Sequence, residues 1–174
     1  MLLVLSCSLN PNSRSRILAK RANEQLLAAG QETRFVNLAD YQLPLCNASD
    51  CYSAESVIQL QTWIQEARGI LIATPVYNYG ASAATKNLIE LTGKAWSEKV
   101  VGFLCAAGGK GSYMSLMGLA NSLMLDFHCL IIPRFVYVTK EAFSDGVLED
   151  AEIKERLDEV LEKLVHLSQI SGRF

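Results

Sequence analysis

The sequence predicts an α/β protein with a doubly wound, five-stranded parallel sheet that is covered by helices on both faces. Short apolar runs alternate with amphipathic segments five times along the chain. The runs at 2–7, 69–73 and 99–105 are apolar throughout, as expected for strands that are buried on both faces. Because the 174 residues are half hydrophobic and show no repeat or linker, we expect one domain over residues 1–174.

The first half of the chain supplies three strands and two helices. Gly30 follows the first helix as a stop signal. Residues 39–54 are rich in turn-forming residues and predict a long loop. The predicted elements are strands at 2–7, 33–38 and 69–73 and helices at 16–29 and 55–67.

The second half continues the same alternation. Pro133 interrupts an otherwise apolar fifth strand between residues 129 and 138. The last helix is amphipathic, with charged residues opposite an apolar side formed by Ile153, Leu157, Val160, Leu161, Leu164 and Val165. The other predicted elements are helices at 81–92 and 112–126 and a strand at 99–105.

Composition narrows the classes of function. A net charge of −2 argues against a protein that binds nucleic acid or a membrane surface. No apolar run approaches the roughly 20 residues of a membrane span. The N-terminus has neither the positive region nor the length of a signal peptide, so we expect a cytoplasmic protein.

The five cysteines fall into two groups. Cys7, Cys105 and Cys129 lie in or beside apolar runs, where cysteine behaves as a small hydrophobic residue. Cys46 and Cys51 lie in the polar loop. Two ligands at that spacing do not make a zinc site, and we predict no metal site. Redox use of the pair stays open.

A serine-rich loop at 8–15 lies between the first strand and the first helix. Ser8, Ser13 and Ser15, with Arg14 and Arg16 beside them, surround a helix N-terminus whose N–H groups lack partners. Such a site suits an anion, most simply a cofactor phosphate. The other interpretation is that Ser13 or Asn12 only caps the helix. The loop matches neither a P-loop nor the G-x-G-x-x-G fingerprint.

Two more loops of unusual composition follow the next strands. The loop at 74–78 reads T-P-V-Y-N and offers a flat aromatic side chain, although a plain turn with a buried tyrosine is the alternative. The loop at 106–112 reads A-A-G-G-K-G-S, and its glycines allow close approach to a flat ligand or form a simple flexible connection. Because ligands bind beyond the carboxyl ends of such strands, the three loops together predict one cofactor site.

Taken together, these loops resemble those of the NADPH-dependent FMN reductase family, which has the flavodoxin-like fold. The resemblance covers residues 2 to about 140, and Cys7 and Asn10 depart from it where the family usually has glycine and arginine. The N-P-N-S-R-S and P-V-Y stretches look closest to flavin reductases that serve two-component monooxygenases. The matching positions are Ser8, Ser13, Ser15, Pro75, Val76, Tyr77, Asn78, Lys86, Asn87, Gly108, Gly109 and Gly111.

The resemblance implies an oxidoreductase in which NADPH or NADH delivers a hydride to N5 of bound FMN. The reduced flavin then serves a flavin, quinone, azo compound or metal oxyanion, and no side chain is expected to act as nucleophile or general base. It also implies a homodimer or homotetramer, with the helix at 81–92 and Tyr79 at the interface. The residues expected to bind the cofactor are Ser8, Ser13, Arg14, Ser15, Pro75, Val76, Tyr77, Asn78, Ala107, Gly108, Gly109, Lys110 and Gly111.

Two alternative functions remain open from the sequence alone. A flavodoxin-type electron carrier would bind FMN without using NAD(P)H, but its usual T-x-T-G-x-T loop is missing here. A flavin-free binding protein on the same fold is disfavoured by the glycines and by P-V-Y-N. The sequence decides neither between NADPH and NADH nor among the electron acceptors.

Overall fold

A computed structural model describes residues 1–170, so the last four residues of the predicted 1–174 domain lie outside the described part. Its helices are α1 (Arg14–Ala28), α2 (Glu55–Glu66), α3 (Ala83–Thr92), α4 (Met117–Phe127) and α5 (Ala151–Ile170). Its strands are β1 (Leu2–Ser6), β2 (Thr33–Asn37), β3 (Gly69–Tyr77), β4 (Gly80–Ala81), β5 (Val100–Ala106), β6 (Leu130–Ile131), β7 (Val136–Val138), β8 (Phe143–Ser144) and β9 (Val147–Leu148).

The main sheet is largely parallel and has the order β2-β1-β3-β5-β6. The predicted α/β fold class is confirmed, but the predicted number of five strands is wrong because the sheet has seven. Pro133 divides the fifth predicted strand into β6 and β7, which both pair with β5. The chain after β3 folds back as the antiparallel strand β4. Strands β8 and β9 form a separate hairpin.

Each face of the sheet carries its own layer of helices. Within β1, Leu3 and Leu5 pack into a core with α2, α3 and α4. Leu2 and Val4 pack into a second core with α1 and α5. Because successive strand side chains point to opposite faces, a continuous apolar run is what a sheet buried on both sides requires. The helices on both faces are as predicted.

Several helix boundaries differ from the prediction for local reasons. Helix α3 begins at Ala83 instead of residue 81, because residues 80–81 form β4. Helix α1 begins at Arg14 instead of residue 16, because the Ser13 hydroxyl accepts a hydrogen bond from Arg16 N at 3.4 Å and caps it. It ends at Ala28, one residue before the predicted end, and the predicted stop residue Gly30 follows with a φ of +72°. The helix predicted at 112–126 begins only at Met117, since residues 110–116 form 3₁₀ turns with a non-helical Ser112 between them.

The sheet order creates a crevice between β1 and β3. The connection after β1 leads outward to β2, and the connection after β2 crosses back to β3 on the other side of β1. Helices leaving these two strands in opposite directions open a gap at their carboxyl ends, where ligands bind in doubly wound sheets. The fold therefore brings the loops after β1, β3 and β5 to one edge.

Candidate active site

A cleft of about 670 Å³ opens at this edge, and all three predicted loop segments line it. Residues 74–77 of the second segment, which were predicted as a loop, form the end of β3. Sequence reasoning left Asn12 and Ala106 out of the expected set and treated Asn10 only as a departure from a family pattern. The residues that line the cleft are Ser8, Asn10, Asn12, Ser13, Arg14, Pro75, Val76, Tyr77, Asn78, Ala106, Ala107 and Gly108.

The first part of the serine loop is curled by its own side chains. The Ser8 hydroxyl accepts from Asn10 N at 3.3 Å, and Asn10 Oδ1 accepts from Asn12 N at 2.9 Å. The Arg16 guanidinium donates to the carbonyls of Pro11, Asn10 and Ser8 over 3.2–3.5 Å. Arg16 thus fixes the conformation of the loop. This role can be recognised only in the folded structure.

The N-terminus of α1 offers hydrogen-bond donors that suit an anion. Arg14 is exposed, lines the cleft and forms no ion pair with residues 1–170. The N–H groups of Arg14 and Ser15 make no hydrogen bond within the same residues. Ser15 is fully buried and its hydroxyl lies 2.8 Å from that of Ser13. Ser15 therefore supports Ser13 and does not reach the cleft, whereas Ser13 both caps the helix and lines the cleft.

Residues 77–80 form a tight hairpin between β3 and β4. Asn78 and Tyr79 both have positive φ, at 49° and 63°, as a type I′ turn requires. Asn tolerates this region well, but it is uncommon for a bulky residue such as Tyr79. The turn leaves the Tyr77 side chain 56% exposed beside the cleft. The interpretation as a turn with a buried tyrosine is wrong.

A buried network of three hydroxyls holds this hairpin against β1. Thr85 Oγ1 lies 2.7 Å from Thr74 Oγ1 and 2.9 Å from Ser82 Oγ. Ser82 also donates to the carbonyl of Cys7 at 3.2 Å. Burial raises the pKa of the Cys7 thiol to about 12, so Cys7 is an inert part of this junction. The network joins the ends of β1 and β3 and so fixes the width of the cleft there.

We expect Thr85→Val to lower the free energy of unfolding by about 1–3 kcal/mol, because two buried hydroxyls lose a partner. Thr62→Val is a matched control, since Thr62 is exposed on α2 and its hydroxyl contacts only the Ile58 carbonyl. Urea unfolding of both variants measures the difference. Equal stabilities would show that the network contributes nothing.

The glycine-rich loop is held by the last strand of the sheet. Ala107 N donates to the Val138 carbonyl at 2.8 Å, and the Tyr137 hydroxyl donates to the Gly109 carbonyl. Tyr137 also contacts the Ser112 hydroxyl at 2.7 Å. Sequence reasoning missed Tyr137, although a polar aromatic residue at the carboxyl end of a strand was an available signal. Gly108 lines the cleft, whereas Gly109, Lys110 and Gly111 follow outside the lining.

Asn87, matched in sequence to the second loop, acts on a different segment. Its side chain accepts from Cys46 N and donates to the Pro44 carbonyl, both at 2.9 Å. It therefore attaches the loop after β2 to α3. Lys86 pairs with Glu90 one turn later on the same helix.

The fold and the cleft define a flavodoxin-like protein with a ligand site at its β1–β3 crevice. The sequence model of the NADPH-dependent FMN reductase family matches residues 1–143, and the chain belongs to this family. It is accordingly an NAD(P)H-dependent oxidoreductase with FMN as its cofactor.

Curated relatives agree with this assignment, and solved structures share the fold. An NADPH azoreductase of Bacillus sp. (strain OY1-2) is 29% identical over 80% of this chain and 77% of its own length. An NAD(P)H:quinone oxidoreductase of Solanum tuberosum is 36% identical over 56% of this chain and 55% of its own. The structure of FerB, a flavoenzyme NAD(P)H:(acceptor) oxidoreductase from Paracoccus denitrificans, has a TM-score of 0.80 at 21% identity. That likeness covers 98% of this chain and 97% of FerB and shows the same fold.

Two further features concern residues 1–170 only. None of their helices is both long enough and apolar enough to cross a membrane. They also contain no cluster of three or more His, Cys, Asp or Glu side chains with the geometry to hold a metal ion.

Proposed function

We propose that the cleft binds FMN with its phosphate at the start of α1. A donor set for a phosphate dianion is formed by the Ser8 and Ser13 hydroxyls, by the N–H groups of Arg14 and Ser15 and by the Arg14 guanidinium. Within residues 1–170 these N–H groups make no hydrogen bond and the guanidinium makes no ion pair. The positive end of the α1 dipole adds to this preference. The single observation that carries the proposal is that Ser8, Ser13 and Arg14 line one cleft together with the next two loops.

The isoalloxazine ring would lie between the hairpin and the glycine loop. Tyr77 offers an exposed aromatic face, and a Cβ at Gly108 would meet no protein atom within 4 Å, so the backbone there is open to a flat ligand. The N–H groups of Gly108 and Gly109 make no hydrogen bond within residues 1–170. We expect them to donate to the polar edge of the ring and to favour its reduced, more negative form.

The protein's contribution is binding and orientation. FMN, when bound, supplies the redox chemistry by taking a hydride from NAD(P)H and passing two electrons on. The cleft lining contains no His, Cys, Asp or Glu, so its side chains hold groups in place instead of moving protons. The exposed side next to Tyr77 leaves room for the nicotinamide and the acceptor to stack in turn.

Quinones and azo compounds are the acceptors we propose. Both are flat, accept two electrons and can stack on an open aromatic surface, and relatives carry both activities in their names. We also propose a homodimer or homotetramer whose interface includes α3 and Tyr79, which is 59% exposed in the turn of the hairpin at residues 77–80. A cytoplasmic location would supply NAD(P)H and keep the cysteines reduced.

The test is steady-state oxidation of NADPH and of NADH by the FMN-loaded protein, with a quinone, an azo dye or no acceptor. We expect turnover that depends on both FMN and the acceptor. A protein that binds FMN but is not reduced by either nucleotide under anaerobic conditions would instead be an electron carrier. A protein that does not bind FMN would contradict the whole proposal.

A further inference from the structure

The loop between β2 and α2 holds two cysteines whose surroundings differ from those of the other three. Burial raises the pKa values of the Cys7 and Cys105 thiols to about 12 and that of Cys129 to about 11. These three thiols are protected and unreactive. Cys46 and Cys51 instead lie together near the surface, in a small cluster with Val57 and Leu91 and outside both faces' main cores.

The Asn47 side chain folds the backbone before Cys51 into a tight turn. The Asn47 side chain accepts from Ser49 N at 3.0 Å and from Cys51 N at 3.4 Å, and Ala48 has a φ of +56°. Burial by itself raises the pKa of the Cys51 thiol. Hydrogen bonds from the N–H groups of residues 47–49 and from the Cys46 thiol outweigh the burial and lower this pKa below its ordinary value.

Cys46 is the accessible member of the pair. Its side chain is partly exposed and lines a groove of about 810 Å³, whereas Cys51 is only 4% exposed. Its sulfur lies 3.6 Å from the Tyr52 hydroxyl, and its side chain packs against the small cluster that contains Cys51. Its backbone is fixed to α3 by Asn87. The two cysteines thus belong to one small cluster, with Cys46 on its solvent side and Cys51 inside it.

We propose that Cys46 and Cys51 form a reversible intramolecular disulfide and that the oxidant is a hydroperoxide. The site is separate from the flavin cleft, and the inference does not depend on the proposed function. The flavin chemistry does not use these two thiols, so the disulfide would be a separate function of the chain.

The chemistry proceeds in two balanced steps. The Cys46 thiol loses its proton and its sulfur attacks the peroxide, so an S–O bond forms, the O–O bond breaks and an alcohol (or water, from hydrogen peroxide) leaves with that proton. The Cys51 thiolate then attacks the Cys46 sulfur, an S–S bond forms, and hydroxide leaves and is protonated to water. Two thiols and one hydroperoxide give one disulfide, one alcohol and one water, and two electrons pass from the sulfurs to the peroxide.

The division of roles follows from exposure and charge. Only the groove-facing Cys46 is open to a hydroperoxide, whereas Cys51 is shielded. The resolving step needs a ready thiolate next to the oxidised sulfur, and the N–H groups around Cys51 provide it. Low-molecular-weight dithiols reverse the reaction by exchange at the exposed sulfur.

The test is peptide mapping by mass spectrometry of the full-length protein before and after treatment with hydrogen peroxide. We expect a peptide pair linked through Cys46 and Cys51 that dithiothreitol abolishes. The number of thiols titrated after unfolding should fall from five to three. Cys7, Cys105 and Cys129 serve as internal controls and should stay reduced. The readout needs no bound flavin, so it is independent of the oxidoreductase assays.

Two variants test which cysteine reacts with the peroxide and which one then forms the disulfide. In Cys51→Ser, the oxidised Cys46 has no resolving partner, and a sulfenic-acid-trapping diketone should label it. In Cys46→Ser, the shielded Cys51 should remain a thiol at the same peroxide dose. Wild-type protein in which Cys46 is oxidised without a link to Cys51, or in which disulfides join separate chains, would overturn the proposal.

Discussion

A Gly108→Val variant is expected to fold normally and to lose most of its affinity for FMN. Gly108 lines the cleft, and a Cβ built there meets no protein atom within 4 Å. Its backbone does not have the positive φ that would strain a side chain. The added branched side chain therefore costs the apo protein little and occupies the space proposed for the ring.

The size of the effect follows from overpacking. Extra methyl groups in a filled site typically cost about 1–3 kcal/mol. If this cost falls on the binding free energy of FMN, its upper end corresponds to an affinity loss of about 100-fold. Gly108→Ala should lie between wild type and Gly108→Val. Flavin fluorescence titration measures the affinity, and urea unfolding of the apo protein checks the fold.

Gly118→Ala is the matched control. Gly118 lies in α4, a Cβ there also meets no atom within 4 Å, and the residue is outside the cleft lining. We expect unchanged affinity for this variant. If Gly108→Val bound FMN as wild type does, the ring would have to lie elsewhere.

The sequence predicted those features that depend on local composition. The apolar runs of β1, β3 and β5 could form only strands buried on both faces, which leads directly to the layered α/β fold. Because parallel strands share one carboxyl edge, the three loops had to meet there. The expected residues Ser8, Ser13 and Gly108 accordingly line one cleft.

Features that depend on tertiary contacts were not predictable. The hairpin after β3 lacks the glycine that usually marks a type I′ turn, and Asn78 and Tyr79 adopt positive φ because strand pairing on either side requires it. The spacing of Ser15 could not show that it packs inward against Ser13. Tyr137 holds the glycine loop from 28 residues away, a contact that only the folded sheet creates.

Arg14→Glu is expected to weaken FMN binding by about 100-fold without destabilising the protein. The change removes a charge-assisted hydrogen bond, worth about 1.5 kcal/mol at an exposed site, and adds a repulsion of similar size toward a phosphate dianion. Together these correspond to about two factors of ten. The fold should not suffer, because a carboxylate in the first turn of α1 interacts favourably with the helix dipole.

Arg21→Glu makes the same charge change on an exposed position of the same helix, outside the cleft. It should leave FMN affinity nearly unchanged.

Riboflavin tests whether Arg14 binds the phosphate of FMN, because riboflavin carries the same ring without the phosphate. If Arg14 holds the phosphate, Arg14→Glu should weaken FMN binding and leave riboflavin binding as it is in wild type. The difference should shrink at high salt, since exposed charges are screened. Equal losses for FMN and riboflavin would mean that Arg14 acts on the ring or on the shape of the loop, and the phosphate would then have to be placed elsewhere.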